Sequence, residues 1–192
     1  MFLSFCYYGF EVFGIEPSEK MRMYAESRLP AGTVKDGSVL NLPFADDFFD
    51  FVYAIEVFRY LNYEDNLRGI QEIRRVLKTG GLFFGTFVNF YSLDGAAILI
   101  GIRKLAERWF SKTLGFHTEF MTPRRLELKL RSVGFSDVQT HGAKIAGLHI
   151  AYNLGQPIGE ACARLLEPID PLLSDTPVLR VFAGHLIGIA QK

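Results

Sequence analysis

Cysteine is almost absent: Cys6 and Cys162 are the only two in 192 residues, and neither lies in a C-x-x-C. Neither a disulfide framework nor a zinc knuckle is supported, and a reducing, cytoplasmic setting is the expectation. Neither sign of charge is in excess, since 21 Lys and Arg balance 21 Asp and Glu. Nucleic acid, bound chiefly through its phosphates, is therefore not an expected partner. No apolar run reads as a membrane span; the longest, residues 81–102, is interrupted by Asn89, Ser92, Asp94 and glycines. The start, Met1 to Tyr8, is apolar but has no basic region and no small-residue cleavage site, so it reads poorly as a signal peptide and needs a partner inside the fold. Internal repeats and low-complexity stretches are lacking too. What is there, 49% apolar and 22% charged residues, suits one globular domain over residues 1–192 with a sizeable core.

Strand and helix signals alternate along the chain. Glu11 to Ile15 is a nearly continuous apolar run closed by Glu16-Pro17, as in a strand buried on both faces. Ser18 then caps a helix with Met21, Tyr24, Ala25 and Leu29 on one side and Pro30 at its end. Thr33 to Lys35 forms a brief second strand, and Phe49 to Ile55 the next. After an Asn62 cap, Leu67, Ile70, Ile73 and Leu77 form one helix face that Thr79-Gly80-Gly81 is expected to end. Leu82 to Val88 reads as a strand, Thr122-Pro123 opens a helix closed by Gly134, Phe135 to Val138 begins another strand, and His185 to Ala190 is the last. This order predicts an α/β three-layer fold with a mostly parallel sheet, in which ligands sit beyond the carboxyl ends of the strands. Those ends are Glu16, Ser38 to Asn41, Ala54 to Glu56, and Thr86 to Asn89.

Three segments carry more than fold: residues 12–21 around Gly-Ile-Glu-Pro-Ser, residues 37–52 around Leu-Asn-Leu-Pro-Phe and Phe-Asp-Phe-Val, and residues 70–81 ending Arg-Val-Leu-Lys-Thr-Gly-Gly. In this order and spacing the chain resembles the class I S-adenosylmethionine-dependent methyltransferases of Rossmann-like fold, closely over residues 10 to 90. The resemblance implies S-adenosylmethionine as cofactor and a set of residues around it. An acidic residue ending a strand can accept hydrogen bonds from both ribose hydroxyls, and Glu16 stands there; its plainer reading is a solvated strand-end charge. Met21 would lie near the adenine, or be plain core. The family's acidic residue at the adenine amino group aligns with Ser38, and the backbone contact with Val39; Asp36 lies two residues earlier, so either the loop presents Asp36 or Ser38 takes its place. Ile55 would pack against the methionine half, and Glu56 either faces the acceptor or is simply exposed. Arg59-Tyr60 stand where relatives often carry histidine, so no general base follows from the motifs. His117, Tyr91 and His149 are bare candidates, and no metal-ligand spacing occurs.

The family's Gly-rich loop after its first strand has no counterpart. Only ten residues precede Glu11, fewer than a strand, a Gly-rich turn and a crossover require together. Phe2 to Tyr8 resemble the tail of that crossover helix. The expectation is a sheet without its first strand and a cofactor site incomplete in this chain. A preceding stretch of chain, a strand from a partner or second copy, or a rearranged sheet would close the gap.

Residues 89–121 are expected to be the acceptor-side insertion. Ile98, Ile102, Leu105, Ala106, Trp109 and Phe110 form one face of a helix, and Arg103, Lys104, Arg108 and Lys112 the other. Residues 103–131 carry eight basic and three acidic groups, a net of +5 suited to a lid with a solvated outer face, or else to an anionic acceptor or a bilayer surface. The activity implied is methyl transfer to a small-molecule or lipid-like acceptor. Two rival readings are a non-catalytic subunit completed by a partner and a dehydrogenase-type dinucleotide domain, in which the Leu-Pro-Phe and Gly-Gly motifs would have no role.

Overall fold

The computed structural model describes residues 9–92, 119–143, 155–166, 168, 176 and 179–192. The expectations for Phe2 to Tyr8, the lid helix, His117 and His149 lie outside these residues.

Two sheets form. In the smaller, β1 (Gly14–Ile15) pairs in parallel with β2 (Val34–Lys35), and α1 (Glu19–Glu26) lies between them in sequence. The larger has the order β3-β4-β7-β6, from β3 (Phe49–Ala54), β4 (Leu77–Asn89), β6 (Ser136–Ala143) and β7 (His185–Gln191). Here β3 and β4 are parallel, while β7 runs antiparallel to both β4 and β6. A two-residue strand, β5 (Phe120–Met121), adds to the end of β4. Among the described residues no strand joins β1 to β3. Four rings bridge that interval instead: Phe13 meets Phe44, Phe48 and Phe49 at centroid distances of 5.8, 5.6 and 6.1 Å.

One face of the larger sheet is covered by α2 (Tyr63–Val76) and α3 (Pro123–Val133). Ile70, Ile73, Leu126 and Leu130 recur at helical spacing and are buried with Phe83, Phe87 and Leu186 from the strands. Gly85 and Gly188 are directly opposed across β4 and β7, and the methyls of Leu126 and Leu130 and the Phe87 ring crowd onto Gly188. On the opposite face, Phe51 and Leu82, paired in register, are exposed.

The helix ends follow capping chemistry. Asn62 Oδ1 accepts from Asp65 N–H, and Thr122 Oγ1 from Arg125 N–H. Gly134 ends α3 at φ 98°, a left-handed conformation that glycine adopts without a Cβ penalty. Two expectations need correction. The helix after Asn62 stops at Val76, and Leu77 is already extended, so Thr79-Gly80-Gly81 belongs to β4. There the chain zips to the last residue described: Gly80 N–H donates to Lys192 O, and Lys192 N–H to Gly81 O. The Lys192 ammonium also reaches Arg75 O and Leu77 O, carbonyls that the departing helix leaves open. Ser18 precedes α1, but its side chain makes no capping bond; the carboxylate of Glu16 does that instead.

Candidate functional site

The site is built from the carboxyl ends of β1, β2 and β3. At β1, the strand bond from Glu16 N–H to Lys35 O is the last of the ladder, and Pro17 prevents its continuation. The chain turns at once into α1. Glu16 is half-buried, with Oε1 accepting from Ser18 N–H at 2.9 Å, where the helix dipole favours negative charge. No ion pair among the described residues engages this carboxylate, and a carboxylate has lone pairs for several further donors. That acceptor capacity fits a pair of ribose hydroxyls.

Arg22, one turn into α1, ties the ends of β1 and β2 together. Its Nη1 donates to Glu16 O at 2.8 Å and to Asp36 Oδ1 at 2.7 Å. Asp36 is thus held beside the Glu16 backbone while its side chain stays largely exposed. Met21, its neighbour in sequence, is 55% exposed; plain core is ruled out for it. Ser38 Oγ accepts from Leu40 N–H at 3.3 Å and Ser38 O from Asn41 N–H at 3.1 Å, which curls the loop beyond β2. Val39 is buried against α2.

The end of β3 lies across the interval in strand pairing, on the larger sheet. Ile55 is 41% exposed. Glu56 follows with φ 59°, a left-handed conformation disfavoured for a residue with a side chain. Its N–H is secured by Thr86 Oγ1 at 2.8 Å. Its carboxylate bridges two partners, Arg59 Nη1 at 2.6 Å and His185 Nε2 at 3.0 Å. Beside them, buried Asn89 donates through Nδ2 to Val181 O and Ala183 O, both at 2.7 Å, fixing the chain just before β7.

The structure therefore brings Glu16, Asp36 and Met21 to one end of the small ladder. Ile55 and Glu56 follow the carboxyl end of β3, in the other sheet. Tyr91 follows β4 and is about half exposed. Sequence reasoning missed Arg22, which was read only as a helix residue, and His185, read only as the first residue of a strand. The Glu56–His185 contact joins positions 129 apart in sequence; only the antiparallel placement of β7 beside β4 creates it, and no local pattern announces it. Groups of side chains that could hold a metal ion are absent among the described residues, as are helices long and apolar enough to cross a membrane.

Comparisons with known proteins bear on the fold and the family. A family model described as a methyltransferase domain matches residues 1–85. An uncharacterised protein of Methanocaldococcus jannaschii is 29% identical over 184 residues, covering 93% of this chain and 68% of that one. A demethylmenaquinone methyltransferase of Thermotoga maritima is 30% identical over 141 residues, covering 65% of this chain and 59% of that one. The chain thus spans between three-fifths and about two-thirds of these relatives' lengths. Among solved structures, a methyltransferase of Archaeoglobus fulgidus superposes with a TM-score of 0.60 at 19% identity, over all of this chain and 80% of the other. The matched domain and the superposition agree: over residues 1–85 the chain is similar to a methyltransferase domain, and its fold is that of the S-adenosylmethionine-dependent methyltransferases.

Proposed function

We propose that this chain carries the ribose side of a donor site, incomplete without the Gly-rich loop, in an enzyme that transfers a methyl group from S-adenosylmethionine to a small-molecule or lipid-like acceptor. A quinone-type ring is the class favoured by its demethylmenaquinone methyltransferase relative. The observation that carries the reading is Glu16, a half-buried carboxylate outside any ion pair of the described residues, at the carboxyl end of a parallel strand. It accepts hydrogen bonds from the two ribose hydroxyls. Val39 offers backbone contact to the adenine ring, Asp36 or Ser38 meets its amino group, and Met21 and Ile55 line the pocket. Once bound, the donor supplies an activated methyl on a sulfonium; the residues here hold and orient it, and orientation is a large share of what a protein adds to such a displacement. A general base for the acceptor would be drawn from Glu56 and His185, the ionisable pair beyond β3.

Amide NMR spectra of the chain titrated with S-adenosylhomocysteine test the donor site. Shifts are expected around Glu16 and Val39, with binding about tenfold weaker in Glu16→Ala, the loss of a charge-assisted bond. An unchanged spectrum, or a Glu16→Ala variant that binds as the wild type does, overturns the reading. The acceptor is tested by label transfer from methyl-labelled S-adenosylmethionine to a demethylated naphthoquinol in detergent. Label on a water-soluble amine and none on the quinol would discard the quinone class. A second reading, a methyltransferase-like subunit completed by a partner chain, is favoured by the separate β1–β2 ladder. It predicts that donor binding and transfer appear only with that partner present.

A further inference from the structure

We infer that one face of α2, carrying Gly69, Glu72 and Arg75, sets the position of the loop from Val39 to Asp46 and through it the affinity for the donor nucleoside; the inference rests on the donor reading above. The three residues stand three apart, hence on one side of a helix. At Gly69, a Cβ would lie 3.2 and 3.3 Å from the two methyls of Val39, closer than a side chain there would comfortably sit. Glycine is what lets Val39 seat against the helix. One turn on, Glu72 Oε2 accepts from Leu42 N–H at 3.0 Å.

A further turn on, the Arg75 guanidinium uses every nitrogen. Nη2 donates to Leu42 O at 3.0 Å and to Glu72 Oε2 at 2.8 Å. Nη1 donates to Phe44 O at 2.9 Å and to Asp46 Oδ1 at 2.7 Å. Nε donates to Glu72 Oε1 at 2.9 Å. All five N–H donors of the fork are engaged, and lysine, a point charge with three donors, cannot reproduce the pattern. The loop has little structure of its own: the Ser38–Asn41 bridge, the Leu40 N–H to Ser38 Oγ bond and the tight Phe44 N–H to Leu42 O bond. Its shape is imposed from α2. Ser38 and Val39, the proposed adenine contacts, begin that loop, so Glu72 and Arg75 are positioning residues for the donor.

S-adenosylhomocysteine affinity by calorimetry or NMR, measured beside Tm, tests this. Arg75→Met is expected to raise Kd about tenfold and Glu72→Gln by less, as displaced supporting groups do. Ile73→Val, on the buried side of the same helix, is expected to lower Tm and leave Kd unchanged. If Arg75→Met fails to fold, Arg75→Lys carries the test with an intermediate Kd. An Arg75→Met chain that binds as the wild type does, or an Ile73→Val chain weakened equally, overturns the inference alone, provided Glu16→Ala still loses binding. A wild type that binds no S-adenosylhomocysteine overturns the donor reading and this inference with it.

Discussion

Gly85 shows how a single missing side chain shapes the sheet. A Cβ there would stand 2.5 Å from the tip of the Phe83 ring, and that ring is completely buried. Gly85→Ala must push the ring into Phe58 and Phe135, its neighbours at 6.1 and 5.9 Å between centroids. Such overpacking costs about 1–3 kcal/mol, to be read as a lower urea midpoint with an unchanged slope. In the sequence Gly85 is one more small residue in an apolar run, because what it accommodates is two positions away and folded back over it. Glu16 is the opposite case. Its role as the end of a strand before Pro17 is local and therefore legible, whereas the Glu56–His185 pair needs β7 laid beside β4 before either residue has a partner.

The elements were legible where their ends are marked by chemistry. Asn62, Thr122 and Gly134 each act within a few residues of themselves, so sequence alone locates the caps. Thr79-Gly80-Gly81 misleads because a glycine pair after an amphipathic run looks like a helix stop; β4 in fact starts at Leu77, fixed by its pairing with Phe49. The tie between β5 and α3 is a tertiary device of the same kind. Lys129, in α3, is nearly fully buried, and its ammonium pairs with Glu119 at 3.1 Å and lies 4.2 Å from the centre of the Tyr63 ring. Burial pulls the Lys129 pKa down, and the Glu119 carboxylate opposes that. Removing one partner leaves the other charge buried alone, so Lys129→Met is expected to destabilise by about 3–5 kcal/mol. Adding Glu119→Leu is expected to recover most of that loss, a coupling that a double-mutant cycle in denaturant measures directly.

At the scale of the molecule, the alternation of strands and helices made an α/β fold legible. The order β3-β4-β7-β6 and the separate β1–β2 ladder were not, since pairing between distant segments leaves no periodic trace. Acid tests how the two parts are joined. The Glu72 carboxyl is held below its ordinary 4.5 by hydrogen bonding to Arg75, with burial opposing and the Leu42 N–H helping. The unfolded chain therefore binds the proton more readily than the folded one does. This contribution is fully present above about pH 4.5 and is lost as the pH falls through the lower folded value. Urea midpoints are expected to drop in that acid range, and to drop less in Glu72→Gln; equal slopes in both chains would assign the acid loss elsewhere. The rings of Phe13, Phe44, Phe48 and Phe49 leave one more consequence. Aromatic edges attract without fixing a register, whereas a strand ladder fixes one bond by bond, so among the described residues the two parts are joined by rings and by the Arg75 fork rather than by a ladder. Were ribose and acceptor held as proposed, they would lie on opposite sides of that junction, and the packing of four rings would set the reach of the methyl group.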